Sequence, residues 1–143
     1  FLYDLKGKKL KQICKNGYFG QIVGKYIAIQ TISSSGKSGM TLYRKSDGQK
    51  IKTITSNCSY YEFIDNTFYY VEPIAEFKYK IKSYNIEKKK TITYGTIKAN
   101  EFGAITSKYL YCSNGPMIGE CKYYKYSFAK KKSIRITEEA FQY

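Results

Sequence analysis

Apolar and polar residues alternate with period two along much of the chain. Lys78-Tyr79-Lys80-Ile81-Lys82 shows it most plainly, with Lys on one face and Tyr and Ile on the other. That is the pattern of a half-buried β-strand. Short segments rich in Ile, Tyr, Phe and Thr recur throughout, bounded by Gly, Asn, Asp and Ser, which are strand and turn signals. No stretch carries an apolar stripe at helical spacing.

The strands come in a repeat. A Tyr followed by a polar, mostly lysine-rich turn occurs at Tyr3, Tyr43, Tyr84 and Tyr126, spaced 40, 41 and 42 residues apart. A second series keeps the same period: Lys25-Tyr26-Ile27-Ala28-Ile29, Thr67-Phe68-Tyr69-Tyr70-Val71 and Lys108-Tyr109-Leu110-Tyr111-Cys112. Two independent series in one phase define a structural unit. Each unit reads as four short strands, A to D; in the first they cover about 18–23, 26–32, 40–45 and 50–55. Tight turns join A to B at Val23-Gly24-Lys25, Asp65-Asn66-Thr67 and Thr106-Ser107-Lys108. Strands C and D meet at Ser46-Asp47-Gly48 and its lysine-rich equivalents, Asp-Gly being a hairpin signal. Longer B–C loops are expected at Ser33–Gly39, Glu72–Phe77 and Ser113–Glu120. They hold both prolines, Pro73 and Pro116, which cannot donate to a ladder.

A period of about 40–45 residues with four antiparallel strands is the mark of a β-propeller blade. Met40-Thr41-Leu42-Tyr43-Arg44-Lys45-Ser46-Asp47-Gly48-Gln49-Lys50-Ile51-Lys52-Thr53-Ile54 resembles the C–D hairpin of TolB-like and LDL-receptor-type propellers. Phe68-Tyr69-Tyr70-Val71 sits where such repeats carry a Tyr-Trp-Thr-Asp strand. The resemblance implies an all-β fold of β-propeller blades, each a four-stranded antiparallel sheet. It gives about three full blades (17–55, 60–94 and 100–137), a half-blade at 2–13, and the first strand of another blade at 138–143. All are placed in one partial propeller domain, 1–143. Rings close with about four to eight blades, so the chain is expected to be a piece of a longer protein or to close a ring with another copy.

Composition narrows the chemistry. Lys+Arg number 25 against 11 Asp+Glu, a formal net charge of +14, and there are no His and no Trp. Ser-His-Asp and Cys-His catalysis and His-ligated metals are thereby excluded. The longest wholly apolar runs are four residues, such as Tyr26–Ile29, against the ~20 that a spanning helix needs, so no transmembrane helix is expected. Ser35-Gly36-Lys37-Ser38 has the ending of a phosphate-binding loop, but Thr31 stands where that motif needs Gly; it reads as a flexible loop.

Four Cys fit two disulfides. Cys112 and Cys121 flank the third B–C loop, and Cys14 and Cys58 each lie five residues before a strand-A Phe. Disulfides would place the protein at the cell surface or outside the cell; four free thiols are the alternative. Asn57-Cys58-Ser59 matches the glycosylation sequon.

Three functional surfaces follow. B–C loops on one face would bind a protein or glycan, with Ser35, Lys37, Glu72, Glu76, Asn114, Met117 and Glu120 as contacts. Glu62 and Glu101, with Glu138 and Glu139, precede strand-A Phe residues, so they could line a central channel as a cation site or an acid/base pair. Lysine clusters at Lys8 and Lys9, Lys88–Lys90 and Lys130–Lys132 recur in the C–D turn and would form a rim for polyanions. The reading favoured is a non-enzymatic, lectin-like or adhesin-like recognition module without cofactor. A glycan-active propeller enzyme and an electrostatic polyanion binder are the alternatives. Interleaved Lys and Tyr are accounted for by strand alternation, so nucleic acid is not an expected partner.

Overall fold

Alternating segments become strands because only a sheet puts every second side chain on a buried face. The computed structural model describes residues 2–3, 9–115 and 119–142. They form two compact units, Phe1–Cys58 and Ser59–Tyr143.

In the first unit, β1 (Leu2–Tyr3) and β2 (Lys9–Lys11) make a two-stranded antiparallel sheet. It is followed by β3 (Gly17–Val23), β4 (Tyr26–Ile32), β5 (Ser38–Arg44) and β6 (Lys50–Thr55), a four-stranded antiparallel sheet in sequence order. The second unit holds two more such sheets. One is β7 (Tyr60–Ile64), β8 (Thr67–Ala75), β9 (Lys78–Asn85) and β10 (Lys90–Lys98). The other is β11 (Glu101–Ile105), β12 (Tyr109–Asn114), β13 (Lys122–Ser127) and β14 (Lys132–Ile136). The expected all-β fold and the three sets of four antiparallel strands are what the chain forms.

The ladders correct the phase of one repeat series. Ile27, Phe68 and Leu110 are the residues paired with Tyr43, Tyr84 and Tyr126. Phe68 therefore corresponds to Ile27, not to Tyr26, and the steps become the same 41 and 42 that separate the tyrosines. Phe68-Tyr69-Tyr70-Val71 is apolar at every position, so hydrophobicity alone does not say which residue faces which side. The backbone keeps the repeat too. Gly48, Lys89 and Lys131, again 41 and 42 apart, adopt positive φ of 70°, 51° and 52° in the C–D turns. Only the first has the residue that does so without steric cost.

In the second unit the two sheets stack face to face. Val71, Ile81, Ile97, Ala99, Leu110, Cys112, Tyr126 and Phe128 are buried in the layer between them. Phe128 stacks on Tyr69 at 5.3 Å and on Tyr94 at 4.7 Å, and Phe102 on Tyr60 at 5.7 Å. Tyr60 Oη donates to the Gly103 carbonyl at 3.0 Å, and Tyr126 Oη to the Tyr94 carbonyl at 2.9 Å. These contacts fix the relative direction. Tyr60 and Phe102 lie near the starts of β7 and β11, whereas Tyr69 and Phe128 flank the opposite ends of their sheets. The first strands of the two sheets therefore run the same way, and like turns lie at like ends.

Residues 138–142 are not the strand expected of a further blade. They form α1 (Glu138–Gln142). The Ala140 amide donates to Thr137 Oγ1 at 3.4 Å, a helix cap, and Glu138 and Glu139 fall in the first turn, where the helix dipole favours acids. Phe141 lies 4.9 Å from the Tyr123 ring and over Gly103, where an added Cβ would come within 2.8 Å of it. Tyr123 alternates with Tyr124, which packs on the inter-sheet core. The helix thus covers the outer face of the last sheet.

Candidate functional site

An antiparallel meander sends A–B and C–D turns to one end and B–C connections to the other. The B–C connections vary most. Five residues, 33–37, link β4 to β5; two, Glu76-Phe77, link β8 to β9; seven, 115–121, link β12 to β13. The C–D connections span five, four and four residues.

The loop 33–37 is held by its own polar groups. The Ser33 amide donates to the Lys37 carbonyl at 2.9 Å, the Lys37 amide to Ser33 Oγ at 3.1 Å, and Ser33 Oγ bonds Ser35 Oγ at 2.9 Å. Lys37 lines an open groove with Thr41, Tyr43 and Thr53.

The expected loop Glu72–Phe77 is mostly strand. Glu72 pairs with Lys80 and Pro73 with Tyr79, and the ladder runs to Ala75↔Lys78 with an irregularity after Pro73. A bulge is where a sheet tolerates proline. Glu72 is engaged by Lys82 at 2.9 Å with both partly buried, so it is a sheet-bracing acid rather than a loop contact. Glu76 stays exposed in the two-residue turn.

Asn114 ends β12 opposite Lys122. Glu120 accepts from Arg135 at 3.4 Å in an exposed pair, and such pairs contribute little. Met117 and Pro116 lie outside the described residues, as does Lys8.

Glu62 and Glu101 are exposed on β7 and β11. These strands touch through Tyr60 and Gly103. Among the described residues no group of three His, Cys, Asp or Glu side chains could hold a metal ion.

None of the four cysteines is joined in a disulfide, unlike the two bridges expected. Register explains the first. Cys112 faces Tyr124, and Asn114 faces Lys122, so Cys121 lies about three residue steps, roughly 10 Å, along the ladder. A bridge needs Cα atoms within about 7 Å. Cys112 is fully buried between the sheets, and burial pushes its thiol up to about 12. Cys14 lies beside the Tyr43 phenol; burial, then this thiol neighbour, push Tyr43 up to about 12. At neutral pH an aromatic disulfide reagent should therefore titrate partly exposed Cys14 and Cys121 quickly. Cys58 and Cys112, both buried, should react only after unfolding. Four unreactive sulfurs in denatured, unreduced protein would contradict this.

Seven of the thirteen lysines of the second unit gather at the end carrying its A–B and C–D turns. Lys88–Lys90 and Lys130–Lys132 are all exposed, as the repeat led us to expect. Lys108, in the A–B turn of the last sheet, joins them; the turn spacing that carries it was legible, its charge contribution was overlooked. A further feature escaped sequence reasoning. Tyr18, Phe19 and Ile22 of β3 are 60%, 54% and 64% exposed, over an open groove of about 340 Å³ lined by Ile13, Cys14, Ile27 and Ile29.

A search against protein-family models finds no match, and no curated protein matches the sequence.

Proposed function

We propose that the four-stranded sheets are blades of a propeller-type repeat and that the chain is a non-enzymatic recognition module for a protein or glycan. The blade reading rests on sheets of equal strand order that stack with their first strands parallel, as in the second unit. The observation that carries the functional reading is the distribution of loop length. Variation is concentrated in the B–C connections while the other turns stay nearly uniform, and binding surfaces are built on variable loops over a rigid scaffold. Glu76, Asn114 and Glu120 are the side chains the second unit offers there.

The test is a printed-glycan array together with a pull-down on immobilised protein, each repeated with E76A/N114A/E120A. A ligand retained by the natural sequence and lost by the triple variant is the expected result. Unchanged retention by the variant would move the site elsewhere. Hydrolysis of the arrayed glycans would favour the enzyme alternative.

A further inference from the structure

The two triplets Lys88–Lys90 and Lys130–Lys132 crown adjacent C–D turns of stacked sheets, with Lys108 in the neighbouring A–B turn. Beneath them, Phe128 is clamped between Tyr69 and Tyr94. The ridges therefore stand about one sheet spacing, ~10 Å, apart. Each tip is tied down: the Lys88 amide donates to Asn85 Oδ1 at 2.8 Å, and the Lys130 amide to Ser127 Oγ at 3.2 Å. Asp65 and Glu87 are the acids at this end, and Glu87 accepts from Asn66 Nδ2 at 2.9 Å. Seven lysines thus face two acids. At the opposite end of the same unit, Glu76, Glu101, Glu120 and Glu138 alternate with Lys78, Lys98, Lys122 and Arg135. The ion pairs Lys82–Glu72 and Arg135–Glu120 lie away from the ridge lysines.

We infer that this basic end binds a linear anionic polysaccharide bearing sulfate or carboxylate groups, a surface separate from the B–C loops. Two rigid rows of like charge within about a Debye length of each other repel, and a flexible polyanion laid between them removes that repulsion. The chemistry disfavours the other polyanions. No Arg stands at this end for bidentate phosphate or guanine contacts. Of the nearby aromatics, Phe68, Tyr84, Tyr126 and Phe128 are buried, and half-buried Tyr109 beside Lys108 has its ring covered by Lys125 Nζ at 4.8 Å, so bases find no open stacking platform. The exposed large apolar side chain nearest the tips is Ile92, 39% exposed, two residues inside β10, a poor anchor for a lipid surface.

The test measures binding of a fluorescent heparin oligosaccharide in low salt, with polyuridylate RNA and phosphatidylserine vesicles as parallel probes. The variant K88Q/K89G/K90Q/K130Q/K131G/K132Q removes both ridges and places Gly at the two left-handed positions, so circular dichroism should be unchanged. K78Q/K98Q/K122Q removes charge from the opposite end. The ridge variant should bind heparin at least about tenfold more weakly, the control less than about twofold, and added salt should weaken the natural protein. On the unaltered protein, heparin should protect Lys88–Lys90 and Lys130–Lys132 from acetylation. Equal losses in both variants, no heparin binding in low salt, protection elsewhere, or tighter ridge-dependent binding of RNA or vesicles would each overturn the inference.

Discussion

Replacing Phe128 by Ala should destabilise the second unit by about 3–5 kcal/mol, read as a lower urea midpoint. Phe128 is 7% exposed and lies at the end of β13, yet its ring contacts are with the other sheet: Tyr69 at 5.3 Å and nearly parallel, Tyr94 at 4.7 Å. Its removal leaves a cavity between layers and deletes two aromatic pairs. Leu at this position should recover much of the loss, because volume is kept. A cost below about 1 kcal/mol for Ala would mean the layers do not meet there.

The second large effect is expected at Gly95, the irregular point of β10. Its φ is +155°, and an added Cβ would sit 2.5 Å from Tyr126 Oη of the neighbouring sheet. G95A therefore combines backbone strain with overpacking, about 2–4 kcal/mol. Y126F removes the clashing hydroxyl and its 2.9 Å bond to the Tyr94 carbonyl, costing about 1 kcal/mol alone. In the double variant Cβ meets only the ring edge, so the combined loss should fall short of the sum by about 1 kcal/mol or more. Strict additivity would place the two residues out of contact.

Much of the architecture was legible because period and turn chemistry report the same thing. Tyr43, Tyr84 and Tyr126 are each buried, sit on the same strand of successive sheets, and precede turns with one backbone geometry, so they mark the repeat directly. The misphased series failed where Phe68-Tyr69-Tyr70-Val71 offers no polar residue to choose a face. Glu72–Phe77 looked like a loop because proline and acids signal breaks, but an irregularity at Pro73 and the Lys82 ion pair carry the strand through. Helix α1 was missed because five residues are too few to show helical periodicity; Thr137 followed by Glu138 and Glu139 was the available signal. The disulfide expectation failed on register, which cysteine spacing cannot express. Of the candidate site residues, the lysine ridges were readable because they inherit the repeat. Whether acids such as Glu72 and Glu120 find partners depends on cross-strand neighbours.

The central claim is that successive sheets are copies of one unit related by a rotation. A crystal structure of the chain tests it by superposing residues 60–98 on 101–136. The expected result is one rotation, about an axis running beside β7 and β11, that overlays all four strands and carries Tyr84 onto Tyr126 and Lys89 onto Lys131. Sheets that cross at a steep angle, or a rotation that brings Phe68 onto Tyr109 instead of Leu110, would contradict it.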